Sequence, residues 1–146
     1  MHPSFGMDLP KPIVGTAIFV RWGQNVLMGK RKGSHGVGTW APPGGKLDAG
    51  ETVFEAGARE LLEETGLVVP PESLKPVGFT DDFFEERGLR FITLFLEHRI
   101  TNRLTVDVEL REPEKCEGWR WVPAARLPEP LFLPLQNLLR TGFRFS

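Results

Sequence analysis

The stretch GGKLDAGETVFEAGARELLEETGL, Gly44 to Leu67, constrains this chain more than any other. It reads as a glycine-punctuated loop running into a helix. Thr52 precedes an apolar-periodic run and Glu55 follows it by three residues, the spacing of a capping box. Gly66 closes the helix as a residue suited to a left-handed C-terminal cap. At about 100° per residue, Val53, Phe54, Gly57, Ala58, Leu61 and Leu62 share one arc that must face a core. Glu60, Glu63 and Glu64 fall on an adjoining arc, where three carboxylates repel one another. A cation relieves that repulsion, and oxygen ligands suit Mg²⁺ or Mn²⁺. An acidic helix face is more often simply solvated, but two details argue otherwise. Gly57 in mid-helix costs roughly 1 kcal/mol relative to alanine, so a close approach of backbone or ligand is expected there. Arg59 lies one turn before Glu63 and beside Glu60, where it can hold carboxylates in place.

The rest of the chain reads as support. Its 146 residues suffice for one domain with a single core. Hydrophobic content of 40% and charged content of 25% are ordinary for a globular protein. A formal net charge of −1 gives no bulk electrostatic reason to bind a nucleic-acid polymer. The lone Cys116 excludes an internal disulfide and a cysteine zinc cluster; it reads as a small buried residue in a reducing cytoplasm. No apolar run is long enough for a membrane span, and residues 1–11 read as an irregular arm without the apolar core of a signal peptide.

Ile13–Trp22 and Val26–Arg31 read as two strands turned by Gly23-Gln24-Asn25. Lys30-Arg31-Lys32 then enters the loop Gly33-Ser34-His35-Gly36-Val37-Gly38, and Trp40 opens a short strand. A basic triplet is usually solvated surface, but one feeding a Gly-rich loop ahead of the acidic helix suits a phosphate. Leu74–Glu86 and Leu89–Ile100 read as a hairpin whose Phe83, Phe84, Phe91 and Phe95 serve as core or pocket wall. Leu104–Leu110 is a further candidate strand, Glu112–Glu117 an acidic loop, and Gly118–Val122 another strand. Leu127-Pro128-Glu129-Pro130 leads into a last helix, Leu131–Thr141. Strands combined with one or two helices give a mixed α/β sheet.

Gly45-x5-Glu51-x7-Arg59-Glu60-Leu61-x-Glu63-Glu64-x-Gly66-Leu67 resembles the Nudix box without a departure. Pro43-Gly44 ahead of it also matches, while Pro42 stands where the family usually has an aliphatic residue. The G-K-R-K segment, Glu112–Trp119, Trp121 and Leu131-Phe132 are similar to the short plant and animal MutT-like nucleoside-triphosphate diphosphatases. The resemblance implies an α/β/α sandwich over residues 12–146 that cleaves a nucleoside diphosphate linked to another group, in a role of nucleotide pool sanitation. It implies Mg²⁺ as cofactor, with Mn²⁺ as substitute, and a small nucleotide as substrate; neither a nucleic-acid polymer nor a membrane is expected, and a homodimer is compatible.

By that resemblance Glu60, Glu63 and Glu64 hold the metal with the carbonyl of Gly44, and Arg59 and Glu51 orient them. Clustered carboxylates should raise one pKa, as a base near neutral pH needs; Glu60 is favoured, with Glu114 as an added ligand or rival base and Glu112 and Glu117 behind it. Gly45 and Arg31 fall to the phosphates. Thr93, Phe132, Pro134 and Leu135 fall to the base pocket, and Leu131–Leu135 offers no amide to read a base. That predicts a moderately promiscuous triphosphate diphosphatase. Diphosphatases for other nucleoside diphosphates or for prenyl diphosphates share the box, and a non-catalytic nucleotide sensor is a third reading that the intact glutamates disfavour.

Overall fold

Ile13–Trp22 forms the first strand (β1), and it is apolar on both faces because both faces are covered. Side chains alternate along a strand, so Ile18 and Val20 enter one core with Leu61, Leu67 and Leu74, while Ala17 and Phe19 enter another with Leu135 and Leu138. The computed structural model, which describes residues 9–103 and 107–146, is thus an α/β/α sandwich around a mixed sheet.

The arrangement of β1's neighbours creates the crevice. β1 pairs in parallel with β6 (Leu89–Arg99) from Ile13 to Arg21. On its other side it meets β2 (Asn25–Arg31) only at Arg21 and Trp22, next to the turn. Beyond those residues the two strands part, and β4 (Gly44–Lys46) takes the place beside Gly15–Ala17. β2 pairs instead with β3 (Trp40–Ala41) and β7 (Cys116–Pro123). The hairpin partner of β6 is β5 (Lys75–Phe84), joined to it through a 3-10 turn at Glu85–Arg87 and Gly88 at φ 61°. Residues 107–110 lie in no strand, and 104–106 fall outside the described residues, so no strand is seen in the described part of that candidate segment.

α1 (Val53–Thr65) begins and ends as its sequence dictates. The Thr52 hydroxyl accepts from the Glu55 N–H at 3.1 Å, the Glu55 carboxylate accepts from the Thr52 N–H at 2.9 Å, and Gly66 sits at φ 79°. One residue of the expected apolar arc is misplaced: Leu62 is exposed. The helix meets the sheet at Gly57, where an added Cβ would lie 3.0 Å from Leu96 Cδ1 and 3.3 Å from Leu74 Cδ1. Contact centred there leaves Leu62 about 140° round the helix, outside the buried stripe, and brings Ala56 in. Phe83 is a second correction. It points to the face of β5 opposite the buried Asp82 and is exposed, whereas Phe91 and Phe95 are buried.

The last helix, α2 (Leu133–Arg140), starts two residues later than its sequence suggests. Leu131 bridges Trp40, the Trp40 N–H donates to Pro130 O at 2.8 Å and the Phe132 N–H to Trp40 O at 3.0 Å, so residues 130–132 extend the sheet before the helix begins. α2 covers β5 so closely that a Cβ on Gly78 would lie 2.9 Å from Leu138 Cδ1. A polar pin fixes the contact: Asp82, 2% exposed, accepts from the Thr80 hydroxyl at 2.6 Å and from Asn137 Nδ2 at 2.5 Å. Removing one donor strands a buried carboxylate, which costs more than the bond itself contributes. Asn137→Leu should therefore destabilise by about 1–3 kcal/mol, and Asp82→Leu in the same chain should restore part of that loss; denaturant melts of the two single variants and the double variant check it.

Candidate active site

β4 lies tight against the backbone of β1 at Gly44 and against a side chain of α1 at Gly45. A Cβ on Gly44 would collide with the Thr16 carbonyl, and one on Gly45 would collide with the Glu60 carboxyl group. The Gly44 N–H donates to Glu64 Oε1 at 3.0 Å, tying strand to helix through the carboxylate. Trp119 Nε1 donates to Glu64 O at 3.2 Å and holds the end of the helix against β7.

Arg59 organises the acidic face. Its Nε and Nη2 grip Glu51 at 2.6 and 2.8 Å, Nη1 reaches Glu60 at 2.8 Å and Glu63 at 3.1 Å, and Nη2 also donates to Lys46 O at 3.0 Å. Glu51 accepts from the Asp48 N–H as well, at 2.8 Å. The hydrogen bonds from Arg59, then that from Asp48, hold the Glu51 carboxyl down to about 2, so this buttress stays ionised over any neutral working range. Glu60 and Glu64 behave oppositely. Burial pushes Glu64 up to about 8 against the bond from Gly44, and burial also raises Glu60 against its bond from Arg59.

These carboxylates open into a cavity of about 460 Å³ at the parting of β1 and β2. The structure brings Gly44, Gly45, Glu60, Glu64, Arg31, Thr93, Phe132 and Pro134 to its lining. It does not bring Glu63, which is exposed and turned to Arg59. Leu135 is fully buried in the core beneath α2 rather than in the cavity. Glu114 is exposed on its loop, and the loop turns Glu112 and Lys115 inward instead. Lys115 Nζ stands 3.4 Å from Glu112, and the Lys32 N–H fastens the loop by donating to Lys115 O at 2.9 Å. Nothing in the run REPEKCE marks which glutamate faces inward; the pairing of Arg31 with Cys116 decides it. Cys116 is buried beside Gly29, where a Cβ would strike its sulfur. His35 and Lys46 complete the polar lining.

The donor set is all oxygen. Among the described residues no three acidic, imidazole or thiol side chains converge to cage an ion. Two half-buried carboxylates, one of them held at about 8, nevertheless fit a hard divalent ion that keeps its waters and binds through one or two carboxylates plus a ligand's phosphates.

The molecule is a mixed sheet between two helical layers, with a Gly-Gly strand set against carboxylates on a capped helix. The NUDIX domain family model matches residues 10–141, and the chain belongs to that family, with relatives of the MutT type. It is 33% identical over 98% of its length to a mouse 8-oxo-dGDP phosphatase, of which it spans 43%. It is 35% identical over 66% of its length to a mouse oxidized purine nucleoside triphosphate hydrolase, of which it spans 61%. The crystal structure of a MutT NUDIX hydrolase from Burkholderia pseudomallei superposes with a TM-score of 0.79 at 25% identity, over 90% of this chain and 98% of that one.

The shift of Glu64 has a definite pH consequence. The folded state holds that proton up to about pH 8, whereas the unfolded chain releases it near 4.5. The native state therefore binds more protons across that window, and its stability falls as pH rises from 4.5 to 8. A divalent cation held by this carboxylate would need it deprotonated, so divalent-cation affinity should climb with pH up to about 8 and binding at pH 7 should release about one proton. Titration calorimetry in two buffers of different ionisation enthalpy measures that proton, and Glu64→Gln should abolish it.

Proposed function

We propose that this chain is a Mg²⁺-dependent nucleoside-triphosphate diphosphatase, with Mn²⁺ as substitute, that converts a (deoxy)nucleoside triphosphate, including oxidised or modified forms, to monophosphate and pyrophosphate. One observation carries the reading: a single cavity joins the carboxylates of Glu60 and Glu64 to the half-buried Arg31 guanidinium and to a wall of Phe91, Thr93 and Phe132. Acid, cation and ring are what a metal–polyphosphate carrying a base requires.

A phosphoanhydride is kinetically inert because its anionic oxygens repel a nucleophile, so catalysis amounts to charge neutralisation, positioning and a base. Glu60 and Glu64, with the Gly44 carbonyl, would hold the cation, which supplies Lewis acidity and orients phosphate oxygens. Arg59 and Glu51 keep Glu60 in one rotamer. Arg31 meets the phosphate chain. Its burial lowers its pKa, yet a guanidinium has so much reserve that it remains a cation. Glu60 takes the proton of the attacking water as the oxygen bonds to phosphorus and the bridging P–O bond breaks, and the fragment on the far side of that bond leaves with the electron pair. Glu112 replaces Glu114 as the alternative base, since Glu112 is the residue of that loop that lines the cavity. Glu63 supports Arg59 rather than a ligand.

The similarity to an 8-oxo-dGDP phosphatase favours a second reading, cleavage of a nucleoside diphosphate to monophosphate and orthophosphate. In either case the partner is a small nucleotide. Among the described residues no helix is long and apolar enough to cross a membrane. We place the activity in the cytoplasm, and a homodimer is compatible with it.

Glu64→Gln should lower kcat by at least ~10³-fold while the thermal melt stays cooperative, because a charged contact to the reacting centre is lost. Wild-type protein given triphosphates and diphosphates, normal and 8-oxo, should release pyrophosphate from the triphosphates. Orthophosphate as first product from a triphosphate would reject the main reading, and turnover confined to diphosphates would establish the second.

A further inference from the structure

The aromatic wall of the cavity contains a polar ring to which nothing above assigns a role. The His35 ring centroid lies 4.9 Å from that of Phe91 with the planes 28° apart, 5.7 Å from Phe132 at 36°, and 4.6 Å from Phe84 nearly edge-on. The Arg31 guanidinium caps the same cluster, 4.3 Å from the Phe132 centroid. The loop that presents the ring is fixed at several points. Arg31 Nε donates to His35 O at 3.0 Å, Arg87 Nη2 to Ser34 O at 3.0 Å, and the Thr39 hydroxyl to Gly36 O at 2.6 Å. Ser34 adopts φ 53°, a left-handed conformation uncommon for a non-glycine residue, immediately before the ring.

A histidine packed among phenyl rings is ordinarily space-filling. Two observations separate His35 from that case. It is only half-buried and lines the cavity, and while Nδ1 stands 3.1 Å from the Ser34 hydroxyl, Nε2 has no partner among the described residues. A pinned loop keeps that nitrogen in place before any ligand arrives, which reduces the ordering cost of binding. Burial, with Arg31, Lys46 and Arg87 nearby, holds the imidazole down to about 4, so the ring is neutral at physiological pH and stacks as an uncharged heteroaromatic.

We propose that His35 is a specificity-determining residue: with Phe91 and Phe132 it forms the wall on which the substrate's nucleobase stacks, and its Nε2 hydrogen-bonds an edge of that base. The inference rests on the nucleotide reading above and adds to it. With Thr93 and Arg31 it supplies polar contact beside Phe91, Phe95, Phe132 and Pro134. A base whose edge complements Nε2 is preferred, and one that leaves the nitrogen unpaired is disfavoured.

The test compares wild type, His35→Phe and His35→Ala on a purine triphosphate, a pyrimidine triphosphate and inorganic tripolyphosphate, which has no base. His35→Ala should raise KM for both nucleotides roughly tenfold, the scale of losing one stacking partner, with kcat within about twofold and tripolyphosphate unaffected. His35→Phe, which keeps the ring packing and should keep the wild-type melting temperature, should recover most of the nucleotide KM but erase the purine–pyrimidine preference. In the wild type, the His35 ring-proton resonances should shift when a nucleoside monophosphate is added and stay unmoved with ribose 5-phosphate. Unchanged or lower nucleotide KM in both variants, or an equal rise for tripolyphosphate, overturns the assignment while leaving the enzymatic reading intact. Wild-type protein that neither cleaves nor binds any nucleotide removes the parent reading and this one with it.

Discussion

β4 is held between β1 and α1, with Gly44 against the β1 backbone and Gly45 against a glutamate carboxyl group of the helix, and the rest of the site depends on that approach. Gly44 is pressed on one side against the Thr16 carbonyl and bonded on the other to Glu64, while Gly45 lies against Glu60. The strand cannot retreat, because it is paired with Gly15–Ala17. The helix cannot retreat either, because Gly57 is packed onto Leu96 and Leu74. Two glutamates of one helix are thus forced into a cavity wall where burial disfavours their charge. A cation placed beside them would offset that cost.

Arg59 makes the arrangement tolerable. Four carboxylates crowd one loop–helix junction, and a single guanidinium takes up Glu51, Glu60 and Glu63. A planar fork with fixed donors can do this; a lysine cannot grip Glu51 with two nitrogens while a third reaches the helix. The division of labour follows from geometry. Glu51, gripped by the arginine, is held ionised, whereas burial raises Glu60 and Glu64, which line the cavity.

The opposite wall is built from the hairpin, the β2–β3 loop and the start of α2, three segments far apart in the chain. Their convergence depends on the early parting of β1 and β2, which leaves room for Arg31, His35 and Phe132 to stack beside Phe91. Pro134, in the first turn of α2, contributes shape but no N–H donor, which leaves side chains such as Thr93 and His35 to supply the polar atoms of that wall.

The sequence by itself determined the local elements. Capping residues, a left-handed glycine and helical spacing placed α1 to the residue, β-branched runs placed the long strands, and the spacing of Arg59, Glu60, Glu63 and Glu64 placed the acidic face, because each is a relation among near neighbours in the chain. What it left open was which members of those patterns meet across the fold. Leu62 belongs to the apolar arc yet misses the core, Glu112 rather than Glu114 enters the cavity, Leu135 goes under α2, and Asp82 finds Asn137. His35 sits in a loop that composition marks only as a turn. Each of these is decided by strand register and by the angle at which a helix lands on the sheet. Both are set by long-range packing, for which a single sequence carries no local signal.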